Sequence, residues 1–193
     1  MRNLILQEFV SVDGMAAGRD GSTDFIPASS RGDHSLERRQ ESFLDTIDTI
    51  LLGRKTYEMF VEYWPNVTSE DEPLADKLNA IPKVVFSTTL DRAPWGHWQE
   101  ATVTKGDAAR EIERLKQQPG KDMVIWGSLS LAQSLMPEDL IDEYELIVCP
   151  VVLGEGRRLF EDNVAPAEML CTRSFDRGTV LLSYAEMVTA GTR

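Results

Sequence analysis

The sequence predicts a single α/β domain of three layers, with a mostly parallel β-sheet covered by helices on both faces. Short hydrophobic segments typical of strands alternate with amphipathic segments typical of helices, and this alternation indicates parallel pairing. The chain has 193 residues, which suits one domain with a sizeable core. No internal repeat or low-complexity linker divides it, so residues 1–193 are expected to form one domain. Two C-terminal strands should extend the sheet in antiparallel pairing.

The first half of the chain contains two strands, two helices and one long polar segment. We expect a strand at 3–12, a glycine-rich loop at 15–32, a helix from Asp33 or Ser35 to about Thr46, a strand at 49–52 and a helix to about Tyr63. The pair Asp13-Gly14 ends the first strand. The loop that follows is too long for a simple turn and is a candidate functional segment. Phe43, Leu44 and Ile47 should face the core.

The second half continues the alternation. We expect a helix at 74–79, strands at 83–89 and 102–104, a helix at 107–118, a strand at 122–126, a helix ending before Pro137, and strands at 143–150 and 179–187. Ala108, Ile112 and Leu115 lie at helical spacing, and Pro119-Gly120 ends their helix. The turn at 154–156 separates the last two strands.

Composition excludes several classes of function. The net charge is −12, with 32 acidic and 20 basic residues, whereas nucleic acids and anionic membranes require a basic surface. The sequence shows no apolar run of the roughly 20 residues that span a bilayer and no signal-peptide pattern, so we expect a cytoplasmic protein. Cys149 and Cys171 follow no metal or redox spacing and are expected to be reduced and buried. His34 and His97 are too isolated to predict a metal site.

Three predicted strands end in residues suited to binding phosphates. The segments Gly53-Arg-Lys-Thr56, Ser87-Thr-Thr89 and Gly127-Ser-Leu-Ser130 each follow a hydrophobic strand. Ligands of open α/β sheets bind outside the carboxyl ends of strands, and a helix N-terminus after a glycine attracts anions. Neither a G-x-G-x-x-G fingerprint nor a Walker A motif is present, which disfavours the usual dinucleotide and triphosphate folds.

The order of these motifs resembles the dihydrofolate reductase-like superfamily, and within it the RibD C-terminal branch, the pyrimidine reductases of riboflavin biosynthesis. The resemblance extends over about residues 2–188. It rests on the segments Ser11–Gly14, Leu52–Glu58, Val85–Thr89, Ile125–Ser128 and Asp142–Phe160. The most specific element is the last, an Asp-Glu pair followed by Pro150 and the run Leu153-Gly-Glu-Gly-Arg-Arg-Leu-Phe160.

This resemblance implies a reductase that uses NADPH and usually forms a homodimer. It implies that the cofactor phosphates bind to Gly53, Arg54, Lys55 and Thr56, and the adenosine ribose phosphate to Ser87, Thr88 and Lys105. The pyrophosphate and nicotinamide ribose would contact Gly127, Ser128 and Leu129. The nicotinamide would lie next to Val12, Gly14 and Ala16. Selection of NADPH over NADH follows because a 2′-phosphate needs cations and hydroxyls, and no acidic residue interrupts either cluster.

Departures from classical dihydrofolate reductases disfavour folate as the substrate. Gly127-Ser128 replaces paired glycines, Ile147 stands where a pterin-binding threonine is expected, and no arginine lies between Glu58 and Lys77. Aromatic residues are candidate walls of a substrate pocket that includes Ile147; the alternative for each is core packing. They are Phe25, Phe60, Trp64 and Trp126.

The expected reaction is hydride transfer to a C=N or C=O group of a small heterocyclic or ribityl-type substrate, as in 5-amino-6-(5-phosphoribosylamino)uracil reductase. Glu37 and Asp33 are candidate proton donors, and the alternative is that both cap or solvate their helix. Arg157-Arg158 either binds a phosphorylated substrate across a dimer or is exposed in a turn. Two other functions remain open: a general NADPH-dependent carbonyl, nitro or dihydropteridine reductase, and an NADPH-binding sensor without turnover.

Overall fold

The computed structural model describes residues 1–160 and 168–185, and these residues form a three-layer α/β/α structure. Their strands, β1 to β10, are Leu4–Ser11, Met15–Ala17, Ile47–Gly53, Lys83–Phe86, Thr102–Thr104, Asp122–Trp126, Glu143–Cys149, Arg157–Arg158, Met169–Ser174 and Val180–Ala185. Their helices, α1 to α6, are Phe25–Ser30, His34–Leu44, Arg54–Tyr63, Ala75–Ala80, Ala108–Lys116 and Leu129–Leu135. None of the helices in these two ranges combines the length and the apolar character needed to cross a membrane.

The central sheet has eight strands in the order β5-β4-β3-β6-β1-β7-β10-β9. All pairs from β5 to β7 are parallel, and β10 is antiparallel to both β7 and β9. The predicted mostly parallel sheet with an antiparallel C-terminal end is therefore confirmed. The antiparallel part nevertheless begins at β10, because β7 pairs in parallel with β1 through the register Ile5↔Glu143 to Ser11↔Cys149.

Three strands were absent from the prediction. β9 forms one edge of the sheet, and β2 pairs with β8 in a separate two-stranded ribbon. The predicted loop at 15–32 thus contains β2 and the short helix α1. Residues 186–187 of the last predicted strand lie outside the described residues. Cys149 is buried as expected, but Cys171 is exposed on β9, so the prediction that it is buried was wrong.

Alternation along β1 divides the core into two layers. Leu4 and Leu6 pack with α5 and α6 on one face, while Ile5 packs with residues of α2, α3 and α4 on the other. The residues predicted to face the core do so, since Phe43 and Leu44 lie in the second layer and Ile112 and Leu115 in the first. Both faces of the sheet are therefore covered, as parallel strands require.

Polar contacts position α2 over the sheet. The amides of Gln7 on β1 and Gln40 on α2 exchange hydrogen bonds of 3.2 and 2.7 Å, and Gln7 also donates to Glu145 on β7 at 2.6 Å. Arg39 forms an ion pair with the same carboxylate. Because this cluster is buried, its hydrogen bonds fix the orientation of α2 relative to β1 and β7.

Asp33 joins the start of α2 to the turn between β9 and β10. Its carboxylate accepts hydrogen bonds from Ser35 Oγ at 2.7 Å, Leu36 N at 3.1 Å and Arg177 N at 2.9 Å. Burial raises the pKa of this carboxyl, but the hydrogen bonds, led by that of Ser35, together lower it by more. The net pKa therefore lies below the ordinary value. The charged form is therefore the one that the fold stabilises.

We predict that Asp33→Ala lowers the free energy of unfolding by about 2 kcal/mol at pH 7, since it removes a helix cap and a buried partner of Arg177. A lowered pKa stabilises the fold above the ordinary aspartate value of about 3.9, so the difference from the unmodified protein should shrink as the pH falls below about 4. Urea denaturation at several pH values measures both effects.

Asp107→Ala is the matched control, because Asp107 caps α5 through Ala109 N alone, at 2.9 Å, and is exposed. It should cost about 1 kcal/mol. Equal losses in the two variants would show that the contact with Arg177 contributes nothing.

Candidate functional site

The predicted ligand-binding segments lie at the ends of neighbouring strands. In the order β4-β3-β6-β1, the strands end next to Ser87, Gly53, Gly127 and Val12. All four strands are parallel, so these ends share one edge of the sheet. The structure therefore brings together the three segments that the sequence singled out and adds the end of β1 beside them.

A hydrogen bond connects the two glycine turns. Gly53 N donates to Ser128 Oγ at 2.9 Å, and the Ser128 hydroxyl is directed to Trp126 O at 3.3 Å. Gly127 and Ser128 both have positive φ, of 60° and 66°. A Cβ at residue 127 would also lie 3.3 Å from Thr56 Cγ2, so glycine keeps the approach between the two turns open.

The N-terminus of α3 offers backbone donors and positive charge at this edge. Gly53 is its N-cap and supplies no side-chain cap, and no acidic residue occupies the first turn. Arg54 Nη1 donates to both carboxylate oxygens of Glu58, at 2.7 and 2.9 Å, and Lys55 is exposed. Exposed ion pairs of this kind contribute at most about 1 kcal/mol, so an anion at the helix N-terminus can compete for Arg54.

The end of β4 has a similar arrangement. The Ser87 hydroxyl accepts from Thr89 N at 3.2 Å and Leu90 N at 3.1 Å, which holds the turn that presents Thr88 to solvent. Lys105 follows β5, the neighbouring strand, and pairs with the exposed Asp91. The expectation that no acidic residue interrupts the basic clusters holds along the sequence but not in space, because Glu58 and Asp91 meet these cations.

Strand β6 ends before β1 at the same edge of the sheet. Their pairing ends at Gln7↔Trp126, whereas β1 remains paired with β7 as far as Ser11↔Cys149. Among the described residues, no strand pairs with residues 8–11 of β1 on the side of β6. The edge therefore opens into a cleft between the end of β1 and the Gly127–Ser128 turn.

The segment after β1 is fastened to the segment after β7. Asp13 accepts hydrogen bonds from Ser11 Oγ at 2.6 Å, Leu153 N at 3.1 Å and Gly154 N at 2.7 Å. The bond from Ser11, followed by that from Leu153, lowers the pKa of Asp13 to about 2. Beyond this contact β2 pairs with β8. Ala16 on β2 is buried by packing in the core, whereas Val12 is 62% exposed.

Three of the predicted aromatic residues form one cluster beside the cleft. The Phe60 ring lies 6.3 Å from Trp64 and 6.4 Å from Trp126, both in edge-to-face geometry. Asn79 Nδ2 donates to Trp64 O at 2.7 Å and so fixes the end of this wall. Phe25 is buried on α1, separately from this cluster.

Ile147 lies apart from the aromatic cluster. It is 1% exposed and packs with Leu36, Phe175 and Leu181 under α2. Its contacts are those of core packing, the alternative stated for the pocket residues, because almost none of its surface is available to a ligand.

The two candidate proton donors have different environments. Asp33 makes the contacts of a helix cap, the alternative stated for it, and its lowered pKa keeps it ionised at neutral pH. Glu37, one turn further along α2, is partly exposed and lies 2.7 Å from His34 Nδ1. Within the described ranges no group of three or more His, Cys, Asp or Glu side chains could hold a metal ion.

Sequence reasoning missed a third carboxyl, Glu8 on β1. It is 5% exposed, its Oε2 has no hydrogen-bond partner, and burial raises its pKa to about 8. Its position was visible in the sequence, since it interrupts the otherwise apolar face of β1 that carries Leu6 and Val10.

These features define an α/β protein of dihydrofolate reductase-like fold with a candidate ligand cleft at the carboxyl ends of its central strands. Comparison with known proteins is more specific, because residues 2–182 match the model of the RibD C-terminal domain. The chain belongs to the RibD C-terminal domain family.

Individual relatives agree with this assignment. The chain is 32% identical over 187 residues to the uncharacterized protein YyaP of Bacillus subtilis, covering 95% of this chain and 94% of YyaP. A Shewanella structure whose name proposes a role in riboflavin biosynthesis superposes with a TM-score of 0.70 at 22% identity, over 96% of this chain and 99% of that one. Dihydrofolate reductase from Enterococcus faecalis, complexed with NADP(H), superposes with a TM-score of 0.62 at 15% identity, over 95% of this chain and 96% of the reductase. At these identities the two structures show the fold alone.

We predict that Asp13→Ala releases the segment after β7, since Leu153 and Gly154 lose their acceptor. The amides of these two residues should exchange with solvent deuterium at least about tenfold faster, as expected when a hydrogen bond worth about 1.4 kcal/mol is lost. Glu155→Gln is the control, because it removes only the exposed ion pair with Arg19. Unchanged exchange in Asp13→Ala would contradict the fastening role.

Proposed function

We propose that this protein is an NADPH-dependent reductase that transfers hydride to a C=N or C=O group of a small heterocyclic or ribityl-type substrate. The observation that carries the proposal is the hydrogen bond that holds the Gly53 and Gly127–Ser128 turns side by side, with the N-terminus of α3 and two cations at their junction. This arrangement suits a ligand with several phosphates. Family membership favours a pyrimidine reductase, and the NADP(H) complex of E. faecalis dihydrofolate reductase favours the cofactor.

The residues at the cleft fit such a cofactor. The open approach at Gly127 leaves room for a pyrophosphate beside Thr56, and Arg54 and Lys55 would bind cofactor phosphate oxygens that include those of the 2′-phosphate. Ser87, Thr88 and Lys105 would hold the ribose phosphate, and Leu129 the nicotinamide ribose. The opening between β1 and β6 would receive the ring next to Val12, Gly14 and Ala16. When bound, the cofactor supplies the hydride.

The chain's own residues orient the acceptor and its proton. Phe60 and Trp64 would contact a planar acceptor on the α3 side of the cleft, and Trp126, which is 7% exposed, would support Phe60 from the core. Glu37 is the proposed proton donor, because Asp33 is committed to capping α2 and to Arg177. The acceptor proposed first is 5-amino-6-(5-phosphoribosylamino)uracil, and the alternative is a broader range of carbonyl, nitro or dihydropteridine compounds.

Asp33 and Glu37 both have hydrogen-bond partners within the protein, and this favours a second candidate function, that of a protein that binds NADPH without turnover. Asp33 is fully occupied as a cap, and Glu37 is held by His34 rather than free in an apolar pocket. In this function the cleft would sense the cofactor.

We also propose that two copies of the chain associate. All six residues of β9 are exposed at the edge of the sheet, and they include Met169 and Leu170 at 51% and 53%. An exposed edge with apolar residues is suited to a second chain. Light scattering on the purified protein measures the mass, and a monomer at micromolar concentration would contradict the proposal.

The Arg54→Ala/Lys55→Ala variant tests the cofactor site. NADPH affinity should fall about tenfold or more, because charge-assisted hydrogen bonds to the 2′-phosphate are lost, whereas NADH affinity should change far less. Calorimetric titration with each cofactor measures the difference. Glu58→Gln is the matched control on the same helix, and it should leave NADPH binding equal or tighter because Arg54 loses its competing partner.

Equal losses for both cofactors, or no binding of NADPH by the unmodified protein, would overturn the cofactor assignment. The decrease in NADPH absorbance, followed with candidate acceptors, then distinguishes the reductase from the sensor. A reductase should turn over, with Glu37→Gln lowering the rate more than the affinity, whereas a sensor should bind NADPH and oxidise none with any acceptor.

A further inference from the structure

A groove lies between α6 and β8, on the opposite side of the Gly127–Ser128 turn from α3. Its volume is about 710 Å³. It is lined by Leu129, Ser130, Gln133, Gly156, Arg157, Arg158 and Phe160. The proposed cofactor site uses only Leu129 of this set, so the groove adjoins the cleft and remains otherwise unassigned.

The backbone that carries the two arginines is held firmly. Gln133 Nε2 on α6 donates to Arg158 O at 3.2 Å and to Leu159 O at 3.3 Å. On the other side β8 pairs with β2, and a Cβ at Gly156 would lie 2.2 Å from Ala17 O. Movement of this strand away from α6 would break the hydrogen bonds of Gln133, and movement away from β2 would break the strand pairing, so its side chains project from a fixed position.

Among the described residues that line the groove, two are arginines and none is acidic. Arg157 and Arg158 are both exposed, and in the described part of the chain neither forms an ion pair, whereas nearby Arg19 pairs with Glu155. The chain as a whole has a net charge of −12. Two adjacent guanidinium groups in a concave surface of such a protein concentrate positive potential, which attracts an anion from solution.

The chemistry of the lining narrows the anion. Guanidinium groups present several N–H donors in a planar fork that matches phosphoryl oxygens, and the Ser130 hydroxyl adds a donor. Leu129 and Phe160 supply an apolar wall for the remainder of a small molecule. We propose that this groove is a phosphoryl-binding subsite in which Arg157 and Arg158 hold a phosphate or pyrophosphate group of a small ligand.

Two ligands could present that group, the cofactor itself or a separate phosphorylated molecule bound beside it. The subsite does not depend on the proposed reductase function, because inorganic pyrophosphate alone can probe it. The same variants, tested with NADPH, then distinguish the two sources.

Binding of inorganic pyrophosphate, without divalent cations, is measured by calorimetry in the Arg54→Ala/Lys55→Ala background, in which the other phosphate site is absent. We expect saturable binding that weakens with added salt. Arg157→Gln and Arg158→Gln should each reduce the affinity about tenfold, as expected for one charge-assisted contact, and the double variant should abolish it. Arg110→Gln on α5, also exposed, is the control for net charge and should bind as the background protein does.

Absence of pyrophosphate binding, equal binding by the double variant, or equal binding of malonate would overturn the proposal. In the otherwise unmodified protein, a loss of NADPH affinity in Arg157→Gln/Arg158→Gln assigns the phosphoryl group to the cofactor. Unchanged NADPH affinity, with pyrophosphate still bound at saturating NADPH, assigns it to a second ligand. If the unmodified protein binds no NADPH, the proposed function fails while the pyrophosphate result stands. Thermal melting verifies that each variant is folded.

Discussion

The hydrogen bond from Gly53 N to Ser128 Oγ is the contact on which the arrangement of this site depends. It joins the ends of β3 and β6, residues that are 75 positions apart in the chain. The turns at these ends begin α3 and α6, so the same contact sets where both helices start. Ser128, which accepts this bond, has a positive φ of 66°, so backbone strain lies where two helix starts and a ligand would meet.

Polar contacts organise the second side of the cleft in the same way. Asp13 holds the segment after β7 against the end of β1, and Gln133 holds the following residues against α6. The bond from Leu153 N to Asp13 is partly buried, whereas those from Gly154 N and from Gln133 to Arg158 O lie at the surface. The ribbon of β2 and β8 therefore has a fixed position although it lies outside the central sheet, and this position gives the groove at Arg157 its shape.

Local electrostatics differ from what the overall composition suggests. The chain is strongly acidic, yet the edge of the sheet and the adjoining groove carry Arg54, Lys55, Arg157 and Arg158. Arg54 forms an ion pair with Glu58, while the arginines of β8 have no such partner among the described residues. An anion at α3 must therefore replace an ion pair, whereas an anion in the groove would replace none that the described residues form.

The sequence by itself determined the alternation of strands and helices, the capping of α2 and the three strand ends with residues suited to phosphate binding. Hydrophobic periodicity, helix caps and glycine turns are local properties of the chain. The sequence also carried the family motif at 142–160. Only the tertiary structure decided that β7 is parallel to β1, that β9 and the ribbon of β2 and β8 exist, and that Glu58 and Asp91 meet the predicted cations. Strand direction, edge pairing and ion pairs between distant residues depend on which segments become neighbours, and no window of sequence contains that information.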